Sequence, residues 1–318
     1  MSYRKIFTIA LTIVISLTGC VQLPERTIHE VPETVTSYSA GQMYLALAGR
    51  KNEMKNVYTD KIFDVAVNDA GQRYSDTFND TVCDYLEKVQ VMSEMCEERA
   101  IGLSMTETKE IETAVESFLE EFATCGNSYE ITEEEVREML TDLKKIELLR
   151  ELIIEEADVE VSESDARVMD VERIMMNTSE KANEVMDKIT NNPDVEFFTI
   201  ARRNSDDAEI LLSVGRGDLG DVIDEVIFNL NDGEVSPVIP CGGKYYIFRC
   251  VSGYNEEATA VRKEKMTQER QSRAVGMKYE EYLEEHPFEM DEEAWKTAVQ
   301  MCNDNPVVPD IYETIKKD

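Results

Sequence analysis

The chain has 318 residues, 42% of them hydrophobic and 31% charged, with 66 Asp and Glu against 33 Lys and Arg and a formal net charge of -33. That length accommodates one large domain or two, and the apolar fraction suffices for a buried core. So acidic a balance argues against nucleic acid as a partner, because phosphate neutralisation needs clustered basic charge. It reads as a solvated acidic surface, with recruitment of basic clients or cations as the sharper alternative.

Arg4 and Lys5 precede an apolar run from Ile6 to Leu17, too short to span a membrane as a helix but suited to a signal-peptide core. Leu17-Thr18-Gly19-Cys20 follows and resembles a bacterial lipobox, whose cysteine is lipidated and becomes the first mature residue. Residues 1–19 are then a lipoprotein signal peptide, and lipid on Cys20 holds the chain on the extracytoplasmic face of a bacterial membrane. Residues 20–37, with Pro24 and Pro32 and no hydrophobic period, read as a tether.

Residues 38–160 carry a helical pattern. Ser104 with Glu107, and Thr132 with Glu135, each have the hydroxyl-x-x-Glu form of a capping box. After the second, Val136, Leu140, Leu143, Ile146 and Leu149 recur at helical spacing. Earlier, Val82, Tyr85, Leu86, Val89, Met92 and Cys96 form a stripe that is either core or, through its pliable methionines, part of a client groove.

The texture changes after Val159. A strand-like run spans 168–176, a helix with Ala182, Val185, Met186 and Ile189 on one face follows, and a second short helix comes after Pro193. Ser213 to Val222 packs Gly215, Gly217 and Gly220 around Arg216-Gly217-Asp218. Next come a helix at 222–230, a turn at Asn231–Glu234 and strand-like pieces at 235–240 and 244–252. Residues 254–318 read as a charged helical segment ending in a proline-containing tail near Asn305–Asp310. The expected fold class is α+β.

Four words in order, Phe197–Asp207, Gly217–Gly220, Val226–Ile239 and Tyr245–Val251, resemble a parvulin (rotamase) domain, the prolyl cis/trans isomerase module, over residues 161–253. The flanks resemble SurA/PrsA-type extracytoplasmic foldases. The resemblance implies a helical N-terminal chaperone-like domain completed by C-terminal helices, with the parvulin-like domain, a small antiparallel sheet packed with helices, inserted between. It implies as partners unfolded or newly secreted polypeptides and their prolyl segments, and no cofactor or metal.

Uncatalysed prolyl isomerisation takes roughly tens to hundreds of seconds. A parvulin speeds it without covalent chemistry, by seating the proline in an apolar pocket and supporting the twisted amide with a polar network usually anchored on two histidines. Here those positions hold Arg173 and Tyr246, and the chain's two histidines, His29 and His286, lie elsewhere. The loop that usually follows the glycine corner is shortened, taking with it the usual pocket methionine. Asp207 matches the family's acidic position, Leu219 its pocket leucine, Ile223 stands where a pocket phenylalanine is common, and Phe228 completes the proline pocket. Arg173 stays charged at any relevant pH and is expected to pair with Asp207.

Three functions follow: a holdase or foldase with a weak or degenerate isomerase module, an active peptidyl-prolyl isomerase using Asp207 and Tyr246, and a solute-binding or adhesion lipoprotein. A phosphate loop at Ser213–Val222 would need a preceding strand, a long following helix and a Lys-Ser/Thr pair, and the sequence offers none of these. Cys83, Cys96, Cys125, Cys241, Cys250 and Cys302 lack CxxC spacing, which argues against zinc and leaves disulfides and buried free thiols both open. His286 among carboxylates reads as a solvated helix end.

Overall fold

The computed structural model describes residues 37–304 and 308–314. Cys20, the signal peptide and all of the tether except Ser37 lie outside the described residues.

The chain enters its core at Tyr38, whose buried hydroxyl donates to Asp142 Oδ2 at 2.6 Å and whose backbone N–H donates to Gln90 Oε1 at 3.1 Å. Ser39 then starts helix α1 (Ala40–Val57) through a capping box with Gln42. Every residue from Met43 to Ala48 is fully buried, so the first half of α1 is apolar around its whole circumference and forms the inner helix of the module, while Arg50 to Val57 reach its surface. A 3-10 turn (Asp60–Asp64) leads to α2 (Tyr74–Glu98), α3 (Met105–Thr124) and α4 (Glu133–Glu156). The capping boxes at Ser104/Glu107 and Thr132/Glu135 open α3 and α4 as the sequence indicates, each such cap stabilising its helix by roughly 1 kcal/mol. The stripe on α2 is core: Val82, Leu86, Val89, Met92 and Cys96 are all buried against α1 and α4.

A single turn, α5 (Glu163–Ala166), precedes a four-stranded antiparallel sheet of order β2-β1-β4-β3. Its strands are β1 (Val168–Met176), β2 (Leu211–Gly215), β3 (Ile239–Cys241) and β4 (Lys244–Ser252). Period-two alternation splits β1 between two apolar layers. Ile174 and Met176 meet α6 (Ser179–Asn191) and α7 (Phe197–Asn204) on one face. Met169 and Val171 meet α8 (Asp221–Ile227) on the other. Covering on both faces leaves β1 largely buried along its length, its charged residues Glu172 and Arg173 included.

Two expectations need correction. A strand does precede the glycine corner, because β2 runs into it; the helix after it has only seven residues and no Lys-Ser/Thr pair is present, so a phosphate loop is still not formed. The piece at 235–240 is mostly not strand: Pro237 lacks the N–H that a ladder needs, and pairing is left to the three-residue β3, which takes Pro240 as an edge-strand residue, plus a single bridge from Val235 to Arg249.

From the sheet the chain enters α9 (Glu256–Glu285), thirty residues long, then α10 (Glu292–Asp304) and α11 (Ile311–Thr314). The first half of α9 binds the sheet, where Thr259 Oγ1 accepts from Val168 N–H and Asn255 Nδ2 donates to Asp170. Its second half sends Val275 and Tyr279 into the helical core. Ala298, Met301 and Cys302 of α10 join that core beside α1. Val308, Ile311 and Tyr312 are buried there too, so this stretch is a docked wedge where a trailing tail was expected. Among the described residues no helix is long and apolar enough to cross a membrane.

Candidate functional site

The α8 face of the sheet carries the positions singled out by the resemblance. Arg173, in the middle of β1, stands opposite Phe248 on β4, and Tyr246 stands opposite Met175. Arg173 and Tyr246 are therefore diagonal neighbours on one face, and no hydrogen bond joins Tyr246 to Arg173 or to Asp207 among the described residues.

The Arg173 side chain is nearly buried, and its Nη2 donates to Asp207 Oδ2 at 2.6 Å, to Glu209 O at 3.1 Å and to Glu209 Oε2 at 3.2 Å. The loop after α7 is shaped to receive it. Ser205 Oγ accepts from the N–H groups of Met175 and Asp207, and Glu209 N–H donates to Asp207 Oδ1 at 3.0 Å. Both Asp207 oxygens are thus committed, one to its own loop and one to Arg173. Chemically, this position holds a fixed cation that donates hydrogen bonds and accepts none. Arg173 Nε is buried without a hydrogen-bond partner.

Leu219, Ile223, Phe228 and Tyr246 do come together, in one apolar cluster with Met169, Val171, Val214, Ile239 and Phe248. They come together as packing. Ile223 and Phe228 are each 4% exposed, the Tyr246 ring stacks on Phe248 with centroids 6.1 Å apart, and Phe228 is covered by two guanidinium groups, Arg216 at 4.5 Å and Arg167 at 5.6 Å from its ring centre. Three surface hollows, lined by Met95 and Tyr282, by Tyr254 and Thr267, and by Ile153 and Met277, include none of these four residues.

The glycine corner is braced from α9. Arg262 donates through Nη1 to both oxygens of Asp218, at 3.0 and 3.2 Å, and through Nη2 to Arg216 O at 2.6 Å. Asp218 also accepts from Gly215 N–H at 2.8 Å, and Gly217 N–H donates to the buried Asp224. A Cβ on Gly215 would overlap the Arg262 guanidinium, while Gly217 and Gly220 have φ of 91° and 85°, which L side chains rarely adopt. The Arg-Gly-Asp carboxylate is occupied within the protein, which counts against display as an adhesion tag.

Sequence reasoning missed Glu209, Arg216, Asp224 and Arg262. The acidic spacing Asp206-Asp207-x-Glu209 was a usable signal for the second carboxylate around Arg173; Arg262, forty-four residues from its partner Asp218, had none. The six described cysteines are free thiols, three of them buried. His286 stacks on Tyr282 with centroids 4.2 Å apart, and among the described residues no cluster of three or more His, Cys, Asp or Glu has metal-binding geometry.

No family model matches the chain, and neither does any curated protein. Among solved structures the chain is similar to the peptidylprolyl isomerase PrsA from Bacillus cereus, at 16% identity over 74% of this chain and 96% of that one, with a TM-score of 0.38. It is similar to the foldase protein PrsA from Streptococcus pneumoniae at 18% identity over 72% and 93%, TM-score 0.29, and to PrsA from Bacillus subtilis at 17% over 80% and 91%, TM-score 0.26. Overlaps this loose carry no functional argument, so function is argued from the chain's own residues.

Proposed function

We propose that this chain is a lipid-anchored, extracytoplasmic protein-folding factor that binds unfolded or newly secreted polypeptides, including their prolyl segments, and whose parvulin-like domain binds or braces and isomerises weakly if at all. The observation that carries the reading is the Arg173 guanidinium held by Asp207 and Glu209 where the resemblance calls for a relay that accepts as well as donates. A twisted prolyl amide is stabilised by a polar network aimed at it; here Asp207 is already drawn to the Arg173 cation through one oxygen and to its own loop through the other. Closure of the apolar cluster over Ile223 and Phe228 supports the same conclusion, since a proline ring needs an open seat.

The lipid anchor at Cys20 rests on the lipobox-like word and the basic, apolar stretch before it. Growth with a radiolabelled fatty acid tests it, with label expected on the parent chain and absent from Cys20→Ser. Function is tested on the mature chain by pairing a protease-coupled prolyl-peptide assay with suppression of aggregation of an unfolded client. Suppression with an unaltered isomerisation rate supports the reading; a fast rate that Tyr246→Phe abolishes favours the active isomerase.

A further inference from the structure

The C-terminal wedge, Val308 to Thr314, is seated between α1 and α3, with one turn of α1 and Tyr85 of α2 lining the part that holds Asp310 and Tyr312. Val308 and Ile311 are 3% and 0% exposed. Asn52 Nδ2 donates to Val308 O at 2.6 Å. The Tyr312 ring stands edge-on to Tyr85 at 5.5 Å, beneath the Arg50 guanidinium at 4.1 Å. Gly49 opens the slot: a Cβ there would lie 3.2 Å from Asp310 Oδ1 and 3.5 Å from Asp310 Cα.

Seating is poor in polar terms. Asp310 Oδ1 accepts from Tyr312 N–H at 2.9 Å, but Asp310 Oδ2 and the Tyr312 hydroxyl, which face Glu53 and Tyr85, are buried without a well-formed hydrogen bond. Burial raises the Asp310 carboxyl above its ordinary range, opposed by the hydrogen bond from Tyr312 N–H and by Arg50 and helped by the nearby Glu53. At the other end of the chain the same two residue types are matched, since the buried Tyr38 hydroxyl donates to Asp142. Two poorly matched polar atoms weaken the seating and so lower the cost of releasing the wedge. The wedge also has client chemistry: Val308-Pro309-Asp310-Ile311-Tyr312 is a prolyl segment with an aliphatic–aromatic pair.

We infer that the slot formed by Gly49, Arg50, Asn52 and Tyr85 is an exchangeable docking site for prolyl segments bearing an aliphatic–aromatic pair, with residues 308–314 as its resident occupant. The wedge keeps the slot closed and gives way to an unfolded chain of the same chemistry. Exchange with a client rests on the folding-factor reading above; docking of the wedge itself does not.

The test uses the full mature chain carrying Ile311→Asp, which ejects the resident wedge, and a fluorescent peptide of residues 305–318. The ejected chain is expected to bind that peptide at least about tenfold more tightly than the unaltered chain, and adding Gly49→Leu, a helix-favouring change that fills the slot, is expected to remove that gain. Reduced, carboxymethylated lactalbumin is expected to compete the peptide off. The inference is overturned if the ejected chain binds no better than the parent, if Gly49→Leu leaves binding intact, or if Ile311→Asp abolishes the cooperative melt, which makes the wedge integral to the core. Peptide binding without lactalbumin competition overturns client exchange alone. Failure of the parent chain to suppress aggregation, with peptide binding intact, counts against the folding-factor reading and leaves the docking site standing.

Discussion

Arg173 Nη2 lies 2.6 Å from Asp207 Oδ2, joining the middle of β1 to the loop after α7. Asp207 is about one-third exposed and Arg173 nearly buried, so the pair is stronger than a surface bridge and weaker than a fully enclosed one. Arg173→Ala leaves the partly exposed Asp207 without its cation and opens a gap where the nearly buried guanidinium sat. Urea unfolding is expected to show a loss of about 2 kcal/mol, and unchanged stability contradicts the pairing. The double variant Arg173→His with Tyr246→His is expected to restore no isomerisation, because the apolar cluster beneath remains closed.

The brace between α9 and the glycine corner gives a second expectation. Arg262→Ala removes three hydrogen bonds from a half-exposed site and is expected to cost about 1 kcal/mol. Gly215→Ala displaces the same guanidinium. Its cost is therefore expected to overlap with that of Arg262→Ala, so that the two together cost less than their sum. Strict additivity in a double-mutant cycle argues against the shared mechanism.

What the sequence makes legible here follows from how local each signal is. β1, α6 and β4 are bounded by punctuation and carry a clean period, so their limits could be read directly. β2 could not, because it is an edge strand in which only Val214 and Gly215 are buried, and its apolar letters merge into the glycine corner. The wedge at Val308–Tyr312 looks like a tail because only a groove from the opposite end of the chain gives its spacing meaning. Arg173 and Asp207 can be paired from the sequence because the resemblance puts both at one site; the lids on Phe228, Arg167 and Arg216, come from side-chain packing that no motif encodes.

Asp142 supplies a pH-dependent expectation. Burial raises its carboxyl above the ordinary 3.8, against hydrogen bonds from Tyr38 and Ser93 that lower it. The folded state therefore holds this proton more tightly than the unfolded state, and the stability contribution, full below 3.8, is lost as pH rises through the raised value. Asp142→Asn keeps an acceptor for Tyr38 and has no charge to bury. Its stability relative to the parent is expected to increase between about pH 4 and pH 7; a flat difference contradicts the raised carboxyl.

The cysteines give a simple count. Mature chain purified without reductant is expected to yield six reactive thiols in denaturant beyond any at Cys20, with Cys96, Cys250 and Cys302 reacting slowly in the native state because they are buried. Fewer in denaturant would mean disulfides form.

The decisive measurement is the prolyl-peptide isomerisation rate of the mature chain at concentrations where it suppresses aggregation of an unfolded client. With Asp207 committed to Arg173 and the proline seat filled, the rate is expected to match buffer while suppression is clear. A rate enhancement of about a hundredfold or more, lost on Asp207→Asn or Tyr246→Phe, contradicts a binding module and restores an active isomerase.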